Sequence, residues 1–154
     1  MIYVILHNIR SAHNVGSIFR TADGAGVSKI FLTGYTPRPV DRFGRTVSDI
    51  QKTSLGASES VAWEQYDDVL ECIEFLKKDG VQIVAVEQGN SASDYREASL
   101  GELCAFIFGN EVEGVSQEVC SVSDVQIEIP MYGKKESLNV SVAVGVILFN
   151  TNRS

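Results

Sequence analysis

Ile129-Pro130-Met131-Tyr132-Gly133-Lys134-Lys135-Glu136-Ser137-Leu138-Asn139-Val140-Ser141 joins an alternating strand, Val125 to Ile129, to a final segment, Leu138 to Phe149. That segment is apolar on almost every face, with Asn139, Ser141 and Gly145 as the exceptions. A helix of this kind belongs in a core or against a partner. Ser137 is placed to cap it and to satisfy one of the N–H groups that a first helical turn leaves without partners. Capping by Ser137 does not explain Asn139, which falls in the first turn of an otherwise apolar helix.

Two further polar constellations follow apolar strands, where open α/β sheets place their ligand sites. Gly109-Asn110-Glu111-Val112-Glu113-Gly114 comes after a strand ending at Phe108. Its glycines let backbone amides approach a ligand while Glu111 points into the crevice, although a plain turn has the same composition. The other runs from Asn8 to Arg20. Asn14 is placed to cap a helix over Asn14 to Ala25. Gly16 stands four residues before Arg20, leaving no side chain to block a ligand beside the arginine. The alternative for Arg20 is a solvated helical arginine paired with Asp23. Arg10 and His13 are placed to touch phosphate or simply to be solvated.

Between these motifs, Ile2 to Leu6, Ile30 to Leu32, Val81 to Val86 and Leu103 to Phe108 are nearly continuous apolar runs, as strands covered on both faces should be. Val15, Ile18, Phe19 and Ala22 have the spacing of an amphipathic helix that Gly24 and Gly26 end. Tyr66 to Lys78 repeats the pattern with Val69, Ile73 and Leu76, has Asp67, Asp68 and Glu71 near its start, and closes at Gly80. Strands separated by helices predict an α/β domain with a mostly parallel sheet and helices on both faces. Gly34 to Ser48 is the one long loop.

The chain has 154 residues, 44% of them hydrophobic, which suits one domain, 1–154, with a sizeable core. No apolar run reaches the length of a membrane span and no basic leader precedes Met1 to Leu6, so a cytoplasmic protein is expected. Cys72, Cys104 and Cys120 lie in apolar surroundings and outside any Cys-x-x-Cys pair; buried structural thiols and no metal site are expected. There is no G-x-G-x-x-G, Walker glycine loop or G-x-S-x-G elbow. The net charge of −7 is uneven. Residues 1–58 carry +4, 59–102 carry −8 and 103–154 carry −3. A polyanion would therefore meet the N-terminal third, with Arg10, Arg38, Arg42 and Arg45 as the leading phosphate contacts.

Taken together, the three constellations resemble the motifs of the SpoU/TrmH-type RNA ribose 2′-O-methyltransferases of the SPOUT superfamily. Asn14, Gly16 and Arg20 match N-x-G-x-x-x-R. Gly109, Glu111 and Gly114 match G-x-E-x-x-G. Ile129 to Ala143 matches I-P-M-x-G-x-x-x-S-L-N-V-S-V-A. The resemblance spans nearly the whole chain.

It implies a C-terminal deep trefoil knot, a homodimer, and S-adenosylmethionine held largely by backbone at Glu87, Gly109, Ile129, Met131 and Leu138. The final helix has more apolar surface than one small domain covers, so the dimer is expected to bury it with part of the Asn14 to Ala25 helix. Catalysis falls to Arg20, Asn14, Glu111, Ser137 and Asn139. Arg20 acts either as the base on the ribose 2′-hydroxyl or, since a guanidinium is normally always protonated, as the group that holds phosphate and stabilises the developing alkoxide. Transfer RNA is the favoured substrate, since a compact dimer can embrace a small folded RNA, and ribosomal RNA is the alternative; an accessory protein is the alternative source of the grip on RNA. The rival readings are a catalytically idle RNA-binding or scaffolding protein of the same fold, and an enzyme that methylates a base or a small molecule.

Overall fold

The computed structural model describes residues 1–151. In chain order its elements are β1 (Ile2–His7), α1 (Ala12–Ala25), β2 (Lys29–Thr33), α2 (Ser48–Ser54), α3 (Ala57–Ser60), β3 (Trp63–Tyr66), α4 (Val69–Lys78), β4 (Gln82–Val86), β5 (Ser93–Asp94), β6 (Cys104–Phe108), α5 (Gln117–Val122), β7 (Val125–Glu128) and α6 (Val140–Asn150). The strands form one sheet in the order β3-β2-β1-β6-β4-β7-β5, parallel at every pairing. Because all strands run the same way, their C-terminal ends share one edge.

Alternate residues of each buried strand feed opposite faces, and so the core divides in two. Val4, Leu6, Phe106 and Phe108 face Val15, Ile18 and Phe19 of α1, Ile50 of α2, and Val144 and Leu148 of α6. Ile5, Ile83, Ala105 and Ile107 face Cys72, Ile73 and Leu76 of α4 and Val119 of α5. This is the expected parallel sheet with helices on both faces. Cys72 and Cys104 are buried as expected, and burial pushes the Cys72 thiol up to about 12. Cys120 is only partly buried.

Several local expectations are corrected. The first helix starts at Ala12, and its cap is Ser11, whose side chain accepts from the Asn14 N–H at 3.1 Å; Asn14 lies inside the first turn. The final helix starts at Val140 rather than Leu138. Its cap is Asn139, which accepts from the Ser141 N–H at 2.8 Å, leaving Ser137 in the preceding loop. Tyr66 belongs to β3, because Trp63–Tyr66 pairs with β2, and α4 begins after its cap, Asp68. Gly26, with a φ of 71°, ends α1, while Gly24 remains within it.

Candidate functional site

At the C-terminal ends of β4, β6 and β7 lies a cleft of about 350 Å³, within the range of small-molecule sites. Its walls are the three strand ends, the 109–114 loop, and the 129–139 segment leading into α6. All five residues expected to hold a cofactor line it, namely Glu87, Gly109, Ile129, Met131 and Leu138. So do Glu111, Ser137 and Asn139. Arg20 and Asn14 do not: both stand on α1, Arg20 exposed to solvent and unpaired with Asp23 or any other carboxylate among the described residues.

The loop after β6 is shaped by close backbone approach. A β carbon on Gly109 would collide with Gly114, and one on Gly114, whose φ is +70°, would collide with the Glu87 carboxylate. Glu87 accepts from the Val115 N–H at 2.7 Å and from the Gln88 N–H at 3.1 Å, so its carboxylate holds the loop against β4. Glu111 performs a similar service on the other side. It accepts from the backbone N–H groups of Arg10 and Ser11 at 3.1 and 3.4 Å and so ties the first motif to the second. Both glutamates brace the 109–114 loop that forms this wall of the cleft.

Residues without a motif signature complete the frame. Asn110, buried, donates to the Asn8 carbonyl at 3.0 Å and to the Tyr35 hydroxyl at 2.6 Å, while its Oδ1 accepts from the N–H groups of Val112 and Glu113. Asn8, in the left-handed region with φ 56°, accepts from the Tyr35 N–H. Thr36 accepts from the Ile9 N–H and donates to the Leu6 carbonyl. The only sequence signal for these contacts was that Asn8 and Asn110 sit immediately after apolar strands. On the outer wall, the Gln88 amide donates to the Glu136 carbonyl, and Arg96, forked onto Asp94, reaches the Tyr132 hydroxyl at 3.0 Å.

Gly16 does not serve the role expected of it. A β carbon there would collide with the Thr53 side chain and fall 2.6 Å from the Ile50 carbonyl oxygen, so the space beside it is filled by α2 and not by a ligand. Thr53 caps this contact by donating to the His13 carbonyl at 2.9 Å.

The charges of the cleft narrow its chemistry. Five glutamates, Glu87, Glu111, Glu113, Glu128 and Glu136, line it, with no lysine, arginine or histidine among the described residues. Such walls disfavour the phosphates of a nucleotide and suit a ligand with positive charge and an apolar body, for which Val86, Phe108, Met131 and Leu138 offer contact. No group of metal-ligating side chains occurs among the described residues. No helix there is long and apolar enough to cross a membrane.

Comparison with known proteins agrees with this geometry. The tRNA (guanosine(18)-2′-O)-methyltransferase of Thermus thermophilus is 37% identical over 150 residues, which cover 97% of this chain and 73% of that protein. An Aquifex aeolicus TrmH/SpoU tRNA modifying enzyme superposes with a TM-score of 0.84 at 31% identity, over 97% of this chain and 72% of that one. An AdoMet-bound rRNA methyltransferase from Sinorhizobium meliloti superposes with a TM-score of 0.87 at 29% identity; the match takes in 97% of this chain and only 54% of the other. The SpoU rRNA Methylase family matches residues 1–149. With the family match running over nearly its whole length and a relative 37% identical over 97% of it, the chain belongs to the SpoU rRNA Methylase family.

Proposed function

We propose that this chain transfers a methyl group from S-adenosylmethionine to a ribose 2′-hydroxyl of a structured RNA, transfer RNA in preference to ribosomal RNA. It does so as one catalytic domain within a cytoplasmic homodimer. The observation that carries the reading is the glutamate-lined cleft at the strand ends, whose charge favours a cationic ligand over a phosphate. S-adenosylmethionine supplies an electrophilic methyl on a positively charged sulfur, and its adenosine offers the apolar surface that Phe108, Met131 and Leu138 can cover. The preference for transfer RNA is supported by the name of the Thermus relative.

Within the site, Asn139 and Ser137 orient the ribose, and Glu111 keeps the first motif against the cleft. A deep knot fits the passage of residues 129–139 along the cleft wall, where Gln88 holds the Glu136 carbonyl. Arg20 is supplied by assembly. Gly24, one turn further along α1, lies beside the ring of Phe149, 65% exposed on α6, and Val142 is exposed on the same helix. This apolar surface next to Arg20 suits a second copy of the chain, whose cleft the arginine would enter. Positioning of the hydroxyl by fixed groups provides much of the acceleration, and Arg20 holds the neighbouring phosphate or the developing alkoxide.

The test is to map methylated riboses in RNA from cells with and without the gene, and to follow methyl transfer by the purified protein to total transfer RNA and to ribosomal RNA. Loss of one ribose methyl group from transfer RNA is expected. Unchanged maps together with an inert purified protein would refute the reading.

A further inference from the structure

The Gly34 to Ser48 segment, expected as a long loop, contains a locked turn. Val40 and Thr46 form an antiparallel bridge. Between them Asp41 Oδ1 accepts from the N–H groups of Phe43 and Arg45 at 2.8 and 2.9 Å, and its Oδ2 accepts from Arg45 Nε at 3.1 Å. The tip therefore holds one shape, and it presents Phe43, 66% exposed, with the guanidinium groups of Arg42 and Arg45 at 4.8 and 4.9 Å from the ring centre. A single exposed apolar ring is ordinary. A ring held outward on a rigid turn between two arginines is a combination that contributes nothing to the core.

We propose that this turn is a stacking finger, in which Phe43 takes the face of an unpaired base of the RNA substrate while Arg42 and Arg45 hold the adjoining phosphates. The proposal rests on the RNA methyltransferase reading. Bases present free faces only where RNA is unpaired, in loops, bulges and ends, and aromatic rings interleaved with arginines are the side chains that recognise them. A guanidinium on an exposed ring is held weakly enough to give way to a base, so Arg42 can move to phosphate, while Arg45 keeps its Nε on Asp41 and offers its terminal nitrogens. The cleft cannot grip the polyanion, because its walls are acidic, so the grip has to lie outside it. The root of the segment is attached to the cleft wall: Tyr35 meets Asn110 through its hydroxyl and Asn8 through its N–H. A base seated on the finger therefore fixes the RNA relative to the site.

The experiment uses the full chain with two probes across a salt series, an RNA hairpin with an open loop and a blunt duplex of the same stem. Phe43→Ala is expected to weaken hairpin binding roughly tenfold or more, with an unchanged salt slope and little change for the duplex. Phe43→Trp should keep hairpin affinity, whereas Phe43→Leu, apolar but without a flat face, should behave like the alanine variant. Replacing Arg42 and Arg45 by glutamine should flatten the salt dependence. Equal hairpin affinity for wild type, Phe43→Ala and Phe43→Leu overturns the finger and leaves the methyltransferase reading standing. A shift of Phe43→Ala to a smaller species in sedimentation also overturns it, by making the ring a contact between copies. Wild-type protein that binds neither RNA refutes both readings.

Discussion

Glu87 and Val115 are joined across the cleft wall by a hydrogen bond of 2.7 Å from the backbone N–H to the carboxylate. This bond sets the distance between the end of β4 and the loop after β6, and Gly114 is the residue that lets the carboxylate in.

Gly114→Ala is thus expected to destabilise the fold by about 2 kcal/mol, from a side chain forced into the left-handed region and a collision with Glu87. It should also abolish cofactor binding. Glu87→Gln, which retains an acceptor, should be far milder than Glu87→Ala. Thermal unfolding beside calorimetric titration with S-adenosylmethionine will rank the three; a Gly114→Ala protein with wild-type stability and affinity would mean that the loop adapts freely.

Asn139 caps α6 and lines the cleft at once, so Asn139→Ala should lose about 1 kcal/mol of stability and both cofactor affinity and rate. Asn139→Asp keeps the cap. Recovery of stability without recovery of rate in the aspartate variant would separate the two duties, and full recovery of both would count against a catalytic role for the amide.

Arg20→Ala should behave differently, because Arg20 touches neither the core nor this chain's cleft. Stability and cofactor affinity should stay near wild type while single-turnover methyl transfer falls on the order of a hundredfold or more. Arg20→Lys should rescue little, since an ammonium cannot reproduce the planar fork that holds two oxygens. Near-normal turnover in Arg20→Ala would refute its assigned role.

If Arg20 acts across a dimer, sedimentation should show two chains together, and Phe149→Glu should separate them and abolish activity. Mixing inactive Arg20→Ala with inactive Asn139→Ala should restore part of the activity, because one of the two clefts in a mixed dimer is intact. A fully active monomer, or mixed dimers without activity, would place the arginine elsewhere.

His7 gives the fold a pH dependence of predictable sign. Its ring is half-buried beside Thr33 Oγ1 at 2.9 Å, and burial lowers its pKa below 6.5, with Asp68 partly opposing. Since the unfolded chain takes up the proton first, this contribution is complete above the ordinary histidine pKa and is lost as pH falls through the lowered one. The urea midpoint should therefore drop as pH falls below the ordinary histidine range, and His7→Gln should flatten the slope. An unchanged slope in that variant would assign the dependence to other groups.

The sheet and its helices were legible in the sequence because long apolar runs and a 3.6-residue period report burial directly. What escaped was short or borrowed: β3, β5, α2, α3 and α5 are two to seven residues long and owe their form to neighbours. The cleft residues were readable from the second and third motifs and the end of the fourth strand, while the first motif lies outside the cleft, and the roles within the motifs were not readable. Ser11, Asn14, Ser137 and Asn139 are all good caps by composition, and only the backbone shows which of them end a helix. Gly16 was readable as a required gap but not as one filled by Thr53 and Ile50, since α2 had no signal of its own. Asn110 and Tyr35 meet across the end of β1 although they are 75 residues apart in the chain, a contact that no local pattern announces.

The placement of β1 between β2 and β6 has a consequence for synthesis. Ile2–His7 is made before both of its neighbours and can pair with Lys29–Thr33 soon after synthesis, but its other edge has no partner until Cys104–Phe108 emerges. At ordinary elongation rates that interval lasts several seconds. Throughout it the nascent chain carries an open, mostly apolar strand edge of the kind that recruits foreign strands. A chaperone that shields this edge, or slow codons placed after Phe108, would thus govern how much of the protein reaches its native state.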